Sequence, residues 1–150
     1  MIRNGLKVVA AVAVLGVAGC GGSSDSNKTL SYSDFSKQAN DICKSSNDKS
    51  QGLKLTGNPK TDAPVFDKIL PEVEAARAKF AKLKPPEELK ADFDKFLSIS
   101  DQQFANAKKA QAAAKAGDQA GYIAILKATQ PLQAQSHIAG SKLGAAECAK

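Results

Sequence analysis

The 150-residue chain has no tryptophan, a single histidine and few aromatic residues (5%). With only His137, the chain lacks the His and Cys clusters that hold transition metals. β-branched residues are sparse after the first twenty positions, and no stretch alternates apolar and polar side chains as a strand does. The longest apolar run, residues 8–17, covers about 10 positions, roughly half of the ~20 that a spanning helix needs. These absences disfavour a metalloenzyme, a β protein and a transmembrane helix.

Residues 1–19 have the organisation of a secretory signal peptide. Arg3 and Lys7 form a positively charged segment, and the apolar run follows it. The run ends at the small residues Ala18 and Gly19, which are the type a signal peptidase requires before its cut. The chain is therefore predicted to be exported.

The end of this segment, Val17-Ala18-Gly19-Cys20, resembles a bacterial lipobox. The resemblance implies that Cys20 receives a diacylglycerol group and becomes the mature N-terminus after removal of residues 1–19. Each buried methylene contributes ~0.8 kcal/mol, so two or three acyl chains on one cysteine retain a protein at the membrane. The expected location is the extracytoplasmic face of the cell membrane. The alternative is an ordinary secreted protein with Cys20 free.

The net charge of the mature chain bears on which partners it can bind. Loss of Arg3 and Lys7 with the signal, and of no acid, lowers the formal net charge from +6 to +4. The lysines are scattered, which gives nucleic-acid binding little support.

Cys43 and Cys148 are an even pair in an exported chain and are predicted to form a disulfide. This bond would close a loop of ~105 residues and stabilise the fold by up to ~4–5 kcal/mol. In the alternative, both are reactive thiols.

The mature chain divides into a flexible polar tether, residues 20–29, and a helical domain, residues 30–150. Ser31 is the expected cap of the first helix, with Asp34 completing a capping box and Leu30 and Phe35 forming a hydrophobic staple. The second helix is expected from about Ala63 to Leu83, with Pro71 kinking it or dividing it.

Adjacent residues are predicted to end the third helix and to begin the fourth. Gly117 is a natural C-terminal stop and Asp118 a natural N-cap. The segment from Ala110 to Ala114 favours a helix but has little to bury, and Pro131 should bend the fourth helix. Four helices with short connections predict an all-α fold, an antiparallel up-down four-helix bundle. That topology brings the ends of the first and last helices together, which suits a bond between Cys43 and Cys148.

Four short motifs of the domain resemble uncharacterised small lipoproteins from actinobacteria. They are Leu30-Ser31-x-x-Asp34-Phe35, Ala39-Asn40-Asp41-Ile42-Cys43, Leu83-Lys84-Pro85-Pro86-x-x-Leu89, and Leu143-Gly144 before Cys148. The resemblance spans most of the mature chain and implies no particular activity.

Residues that could carry chemistry are few. Ser136 and His137 are neighbours on a helix and point about 100° apart, so they do not form a nucleophile–base pair by themselves. Acidic residues early in the second and third helices, and basic residues late in them, match the pattern that complements a helix dipole. No nucleotide-binding or metalloprotease motif occurs, and no catalytic residue, metal ligand or cofactor is predicted.

The sequence therefore favours a lipid-anchored binding or interaction module at the cell envelope, and not an enzyme. Its partners would be the membrane, through Cys20, and an envelope protein or small ligand. Two alternatives stay open. One is a carrier of an apolar ligand in a cavity lined by the six phenylalanines, which more often form a plain core. The other is a small hydrolase, which would need Ser136 or His137 to meet a carboxylate in a cleft.

Overall fold

The computed structural model describes residues 29–150, which form four α-helices and two 3₁₀ turns. The helices are α1 (Tyr32–Ser50), α2 (Pro59–Phe80), α3 (Lys90–Ala116) and α4 (Gln119–Lys142). The 3₁₀ turns are Glu87–Leu89, before α3, and Ala146–Ala149, after α4. No strand occurs between residues 29 and 150, so the all-α prediction is confirmed. The predicted signal peptide, and all of the tether except Thr29, lie outside the described residues.

α1 begins as its sequence predicts. The Ser31 hydroxyl oxygen accepts a hydrogen bond from the backbone N–H of Asp34 at 3.1 Å and donates one to the Asp34 carboxylate at 2.6 Å. Leu30, just before the cap, packs against the same apolar cluster as Phe35. The Leu30 backbone N–H also donates to the Lys84 carbonyl oxygen at 2.9 Å. The start of α1 is therefore fixed to the connection between α2 and α3.

α2 begins four residues earlier than predicted. Asn58 caps it by accepting a hydrogen bond from the Lys60 N–H at 3.0 Å, and Pro59 occupies the first turn, where a missing N–H costs nothing. The helix continues through Pro71, so the alternative in which this proline divides α2 is wrong. Pro71 lies on the exposed side of the helix, where water can bond the carbonyl that the missing N–H leaves free.

The residues that end α3 and begin α4 are those predicted, but the last turns of α3 are more buried than expected. Gly117 adopts φ 71°, the left-handed conformation of a helix stop, and Asp118 caps α4 through the Gly121 N–H. Ala110 and Ala114 are buried, which corrects the expectation that this segment has little to bury. Both alanines belong to the apolar cluster that includes Phe66, Phe104 and Tyr122. α4 continues through Pro131.

Contacts between helices establish the antiparallel order. Asp67, near the start of α2, accepts a hydrogen bond from Gln111, near the end of α3. Phe80, at the end of α2, packs against Phe93, near the start of α3. Asp92 and Lys142 likewise join the start of α3 to the end of α4. The domain is therefore an up-down bundle, as predicted.

The core consists of two clusters, one toward each end of the bundle. The first includes Phe35 and Ala39 of α1, and α1 contributes no buried residue to the second. The first cluster contains Phe35, Ala39, Phe80, Leu89, Phe93, Phe96, Ile99, Ala139, Leu143 and Ala145. The second contains Phe66, Leu70, Phe104, Ala110, Ala114 and Tyr122. α2, α3 and α4 thus contribute to both clusters, whereas α1 and the C-terminal segment contribute buried residues to the first alone.

The C-terminal segment completes the end of the bundle that contains the first cluster. Its turn, Ala146–Ala149, contacts both α1 and α4. Leu143 and Ala145, which lead into it, are fully buried. The segment thus joins the first helix to the last.

Candidate functional site

Two of the three predicted cysteine positions lie in the described residues, and the structure pairs them. The sulfur atoms of Cys43 and Cys148 are 2.05 Å apart and their Cα atoms 5.1 Å apart, so the two residues form a disulfide. The alternative of two reactive thiols does not match this arrangement. Cys20, the predicted lipidation site, lies outside the described residues.

Polar side chains of α1 that the sequence does not single out hold the same C-terminal segment. The Asn40 side chain donates a hydrogen bond to the Gly144 carbonyl oxygen at 3.1 Å and accepts one from the Glu147 N–H at 2.8 Å. Asn47 donates to the Glu147 carbonyl oxygen at 2.9 Å, and the Ser36 hydroxyl donates to that of Leu143 at 3.0 Å. We call these side chains, together with the disulfide, the C-terminal clasp.

The clasp requires a residue without a side chain on α4. A Cβ atom at Gly140 would lie 3.0 Å from the Cys148 Cβ and 3.1 Å from the Cys148 carbonyl carbon. Contacts this short require the neighbouring backbone to move. The last turn of the chain therefore packs directly on the α4 backbone at this glycine.

At the other end of the bundle, Asp62 is a fully buried carboxylate. It accepts hydrogen bonds from the Thr56 N–H at 2.9 Å, the Thr56 hydroxyl at 2.9 Å and the Gly57 N–H at 2.9 Å. The Tyr122 hydroxyl, also fully buried, donates to the same carboxylate at 2.6 Å. Asp62 thus ties the α1–α2 connection and α4 to the start of α2.

Burial by itself would raise the pKa of Asp62, because a charged carboxylate is poorly solvated there. The hydrogen bonds from Tyr122, Thr56 and Gly57 favour the ionised form and outweigh burial, so the pKa of Asp62 is lowered. The pKa of the Tyr122 hydroxyl is raised, first by burial and then by its bond to the negative Asp62. The pair is therefore a neutral phenol donating to a carboxylate.

This cluster has the properties of a structural element. A fully buried carboxylate with four donors offers no surface to a substrate, and each donor is held by the fold itself. Asp62 is one of the acidic residues early in the second helix that were expected only to complement the helix dipole, and for Asp62 this expectation is wrong. The turn Thr56-Gly57-Asn58, which precedes α2, supplies two backbone N–H groups and one hydroxyl to the Asp62 carboxylate. A turn of this composition shortly before an acidic residue is the feature of the sequence that indicates such a cluster.

Ser136 and His137, on which the hydrolase alternative depends, are neighbours on α4. His137 is exposed on α4, and Ser136 is partly buried beside it. Neither is hydrogen-bonded to a carboxylate through its side chain among the contacts of the described residues. The arrangement gives no support to a nucleophile and base at this position.

The six phenylalanines contact one another and their neighbours. The ring centroids of Phe35 and Phe93 are 5.2 Å apart and those of Phe80 and Phe96 are 5.1 Å apart, both edge to face. Phe66 packs against Tyr122 at 6.2 Å, and the guanidinium of Arg77 lies 4.4 Å from the centre of the Phe104 ring. This is the packing of a filled core, and it weighs against an apolar ligand between the rings.

A shallow surface cleft of about 70 Å³ lies between the start of α3 and the end of α4. Its lining residues are Asp92, Lys95, Gln135, Ile138, Ala139 and Lys142. Ile138 is the most exposed large apolar side chain of the described domain, at 62%. The cleft thus combines an exposed apolar side chain with two lysines and one aspartate.

Residues 29–150 contain neither a metal-binding cluster nor a membrane-spanning helix. No group of three or more His, Cys, Asp or Glu side chains there could hold a metal ion. None of the helices in that range combines the length and apolar composition that crossing a bilayer requires. Comparison of the chain with family models, curated proteins and solved structures gave no match in any of the three.

The first prediction tests the clasp through Gly140. In the oxidised protein, Gly140→Ala should lower the free energy of unfolding by about 1–2 kcal/mol, because the added Cβ displaces the Cys148 backbone. In a Cys43→Ser/Cys148→Ser background the segment can move away, and the cost should shrink or become a gain, since alanine favours a helix by ~1 kcal/mol over glycine. Urea unfolding of the four proteins measures the coupling; an equal change in both backgrounds would refute it.

The second prediction concerns Tyr122→Phe, which removes one donor from the Asp62 carboxylate. At neutral pH the free energy of unfolding should fall by about 1.5–3 kcal/mol, the usual contribution of a hydrogen bond to a charged group. Tyr32→Phe is the matched control, because Tyr32 is half exposed and is not bonded to Asp62. Equal losses in the two variants, measured by urea unfolding, would show that the buried pair has no special role.

The same variant predicts a change in pH dependence. Because the pKa of Asp62 is lowered in the folded state, its stabilisation is complete above the unfolded value of about 3.9 and is lost as pH falls through the folded value. Without the Tyr122 hydroxyl the folded pKa of Asp62 rises, so the midpoint of acid unfolding should move to higher pH. The midpoint is measured by circular dichroism, and an unchanged midpoint in Tyr122→Phe contradicts the prediction.

Proposed function

We propose that the chain is a lipid-anchored, extracytoplasmic helical module that binds an envelope protein, an envelope polymer or a small ligand. The observation that carries the proposal is the allocation of cysteines. Cys43 and Cys148 are bonded to each other, which leaves Cys20 as the one cysteine outside the pair, at the end of a lipobox-like sequence. A stable disulfide is typical of exported proteins, which agrees with a signal peptide in residues 1–19.

The polar groups that the domain buries support a binding role over a catalytic one. The carboxylate of Asp62 has its lone pairs occupied by donors of the fold, and the Asn40 amide is used to hold the C-terminal segment. His137 is exposed, and within residues 29–150 its side chain is not hydrogen-bonded to a carboxylate. What remains available is the outer surface of the helices, which is where a partner would bind.

The third prediction tests the anchor with Cys20→Ser in the native host. The wild-type protein should remain in the membrane fraction, and its intact mass should equal residues 20–150 plus two or three acyl chains. Reduction should raise that mass by two hydrogens, from the bond between Cys43 and Cys148. Cys20→Ser should keep its leader and lose the acyl mass, because the thiol is the acceptor of the lipid.

Cys43→Ser/Cys148→Ser is the matched control, since it removes two thiols but leaves Cys20. It should be acylated normally and lose only the mass change on reduction. An unmodified Cys20 in a wild-type protein recovered from the cytosol would refute the anchor. Crosslinking of the anchored protein in cells then identifies the partner.

A further inference from the structure

The four helices of the domain differ in net charge. Acidic and basic side chains balance on α1, with three of each, and on α2, with four of each. α3 has five lysines and three aspartates, and α4 has two lysines and no acid. The net charge of the α3 and α4 residues together is therefore +4, and three acids flank these helices, with Glu87 and Glu88 before α3 and Asp118 as the cap of α4.

One side of α4 carries both of its lysines and an exposed isoleucine. At 3.6 residues per turn, Lys127, Ile138 and Lys142 fall within about 40° of one line along the helix. All three are exposed. Lys95 of α3 lines the same cleft as Ile138 and Lys142. We call these four residues the basic face.

The acids of α3 do not cancel the basic face. Asp92 lies within it and is 3.5 Å from the Lys142 ammonium. Asp101 is turned toward α2, where it forms an ion pair with Arg77. Asp94 is seven residues before Asp101 and so falls on that same side of α3. Lys95 and Lys127 are thus left to act on a ligand together with the partly neutralised Lys142.

The start of the domain lies at the same end of the bundle as the cleft. Leu30 is hydrogen-bonded to Lys84, and Ser36, one turn into α1, is bonded to Leu143 just after α4. The ten residues from Cys20 to Thr29 can reach about 35 Å when extended. A lipid on Cys20 would therefore hold the basic face within reach of the headgroups at a high effective concentration.

From this placement we infer that the basic face docks on the anionic bilayer to which the chain is anchored, with Ile138 inserted at the headgroup level and Lys95, Lys127 and Lys142 on lipid phosphates. The inference rests on the proposed lipid anchor. A lysine at an anionic surface favours the docked state by about fivefold, and an apolar side chain adds to this. The α1 and α2 side of the bundle then faces away from the membrane, toward a partner.

Amine acylation followed by mass spectrometry tests the docking with the full lipidated protein in vesicles. On vesicles of phosphatidylcholine with phosphatidylglycerol, Lys95, Lys127 and Lys142 should react about threefold more slowly than on phosphatidylcholine alone. Lys60, Lys68 and Lys79 of α2 are the reference set and should react equally on both. High salt should remove the difference, because it screens exposed charges.

Two matched variants keep all the lysines as reporters. Ile138→Asp should abolish the protection, because it puts a negative charge in the centre of the basic face. Leu55→Asp changes the other exposed aliphatic side chain, at 41%, in the connection before α2 at the opposite end of the bundle, and should leave the protection intact. Urea unfolding of both variants verifies that they remain folded.

Three outcomes would overturn the docking. They are equal protection of both lysine sets, no protection of either, and protection by a soluble anionic wall polymer but not by anionic vesicles. Flotation of the vesicles after a high-salt wash reports the anchor independently. If the protein floats but the footprint is absent, the docking fails and the anchor stands; if the protein does not float, the anchor itself fails.

Discussion

The attachment of the C-terminal segment to α1 is the constraint on which the bundle depends. α1 supplies buried side chains to only one of the two clusters, and its polar side chains Ser36, Asn40 and Asn47 are used on the segment from Leu143 to Glu147. The disulfide adds a covalent bond to this set. The same segment also packs on α4 at Gly140, so it connects the first helix of the bundle to the last.

The two ends of the domain use different solutions to the same problem. At the end that contains the first cluster, a covalent bond and amide side chains hold a chain terminus. At the other end, the carboxylate of Asp62 gathers two backbone N–H groups and two hydroxyls. A buried charge is tolerated there because its hydrogen bonds replace those of water. Both solutions use polar groups to position the connections, while the phenylalanines fill the space between the helices.

Features governed by local physics could be predicted from the sequence. The Ser31 cap, the left-handed Gly117, the Asp118 cap and the pairing of Cys43 with Cys148 all follow from residue type at a given spacing. These interactions involve groups close in sequence, or a cysteine pair with no other partner. The antiparallel order followed from the short connections.

Features that depend on the partner across the fold could not be predicted in the same way. Pro71 reads as a helix breaker, yet its position on the exposed side allows α2 to continue. Ala110 and Ala114 are weakly apolar, and only the approach of neighbouring elements makes them buried. Asp62 looks like any acid in a first turn until Tyr122, sixty residues later, is placed against it. Asn40 has its role because it bonds a segment about a hundred residues away in sequence. Gly140 has its role because the last turn of the chain packs directly on it.

The bond between Cys43 and Cys148 also has a topological consequence. It makes residues 43–148 a covalent ring that includes the end of α1, from Cys43 to Ser50, and all of α2, α3 and α4. A protease that cuts once in the connection after α1, or in the one between α2 and α3, opens the ring but releases no fragment. The nicked protein would keep its mass within one water molecule and would separate into two pieces only after reduction.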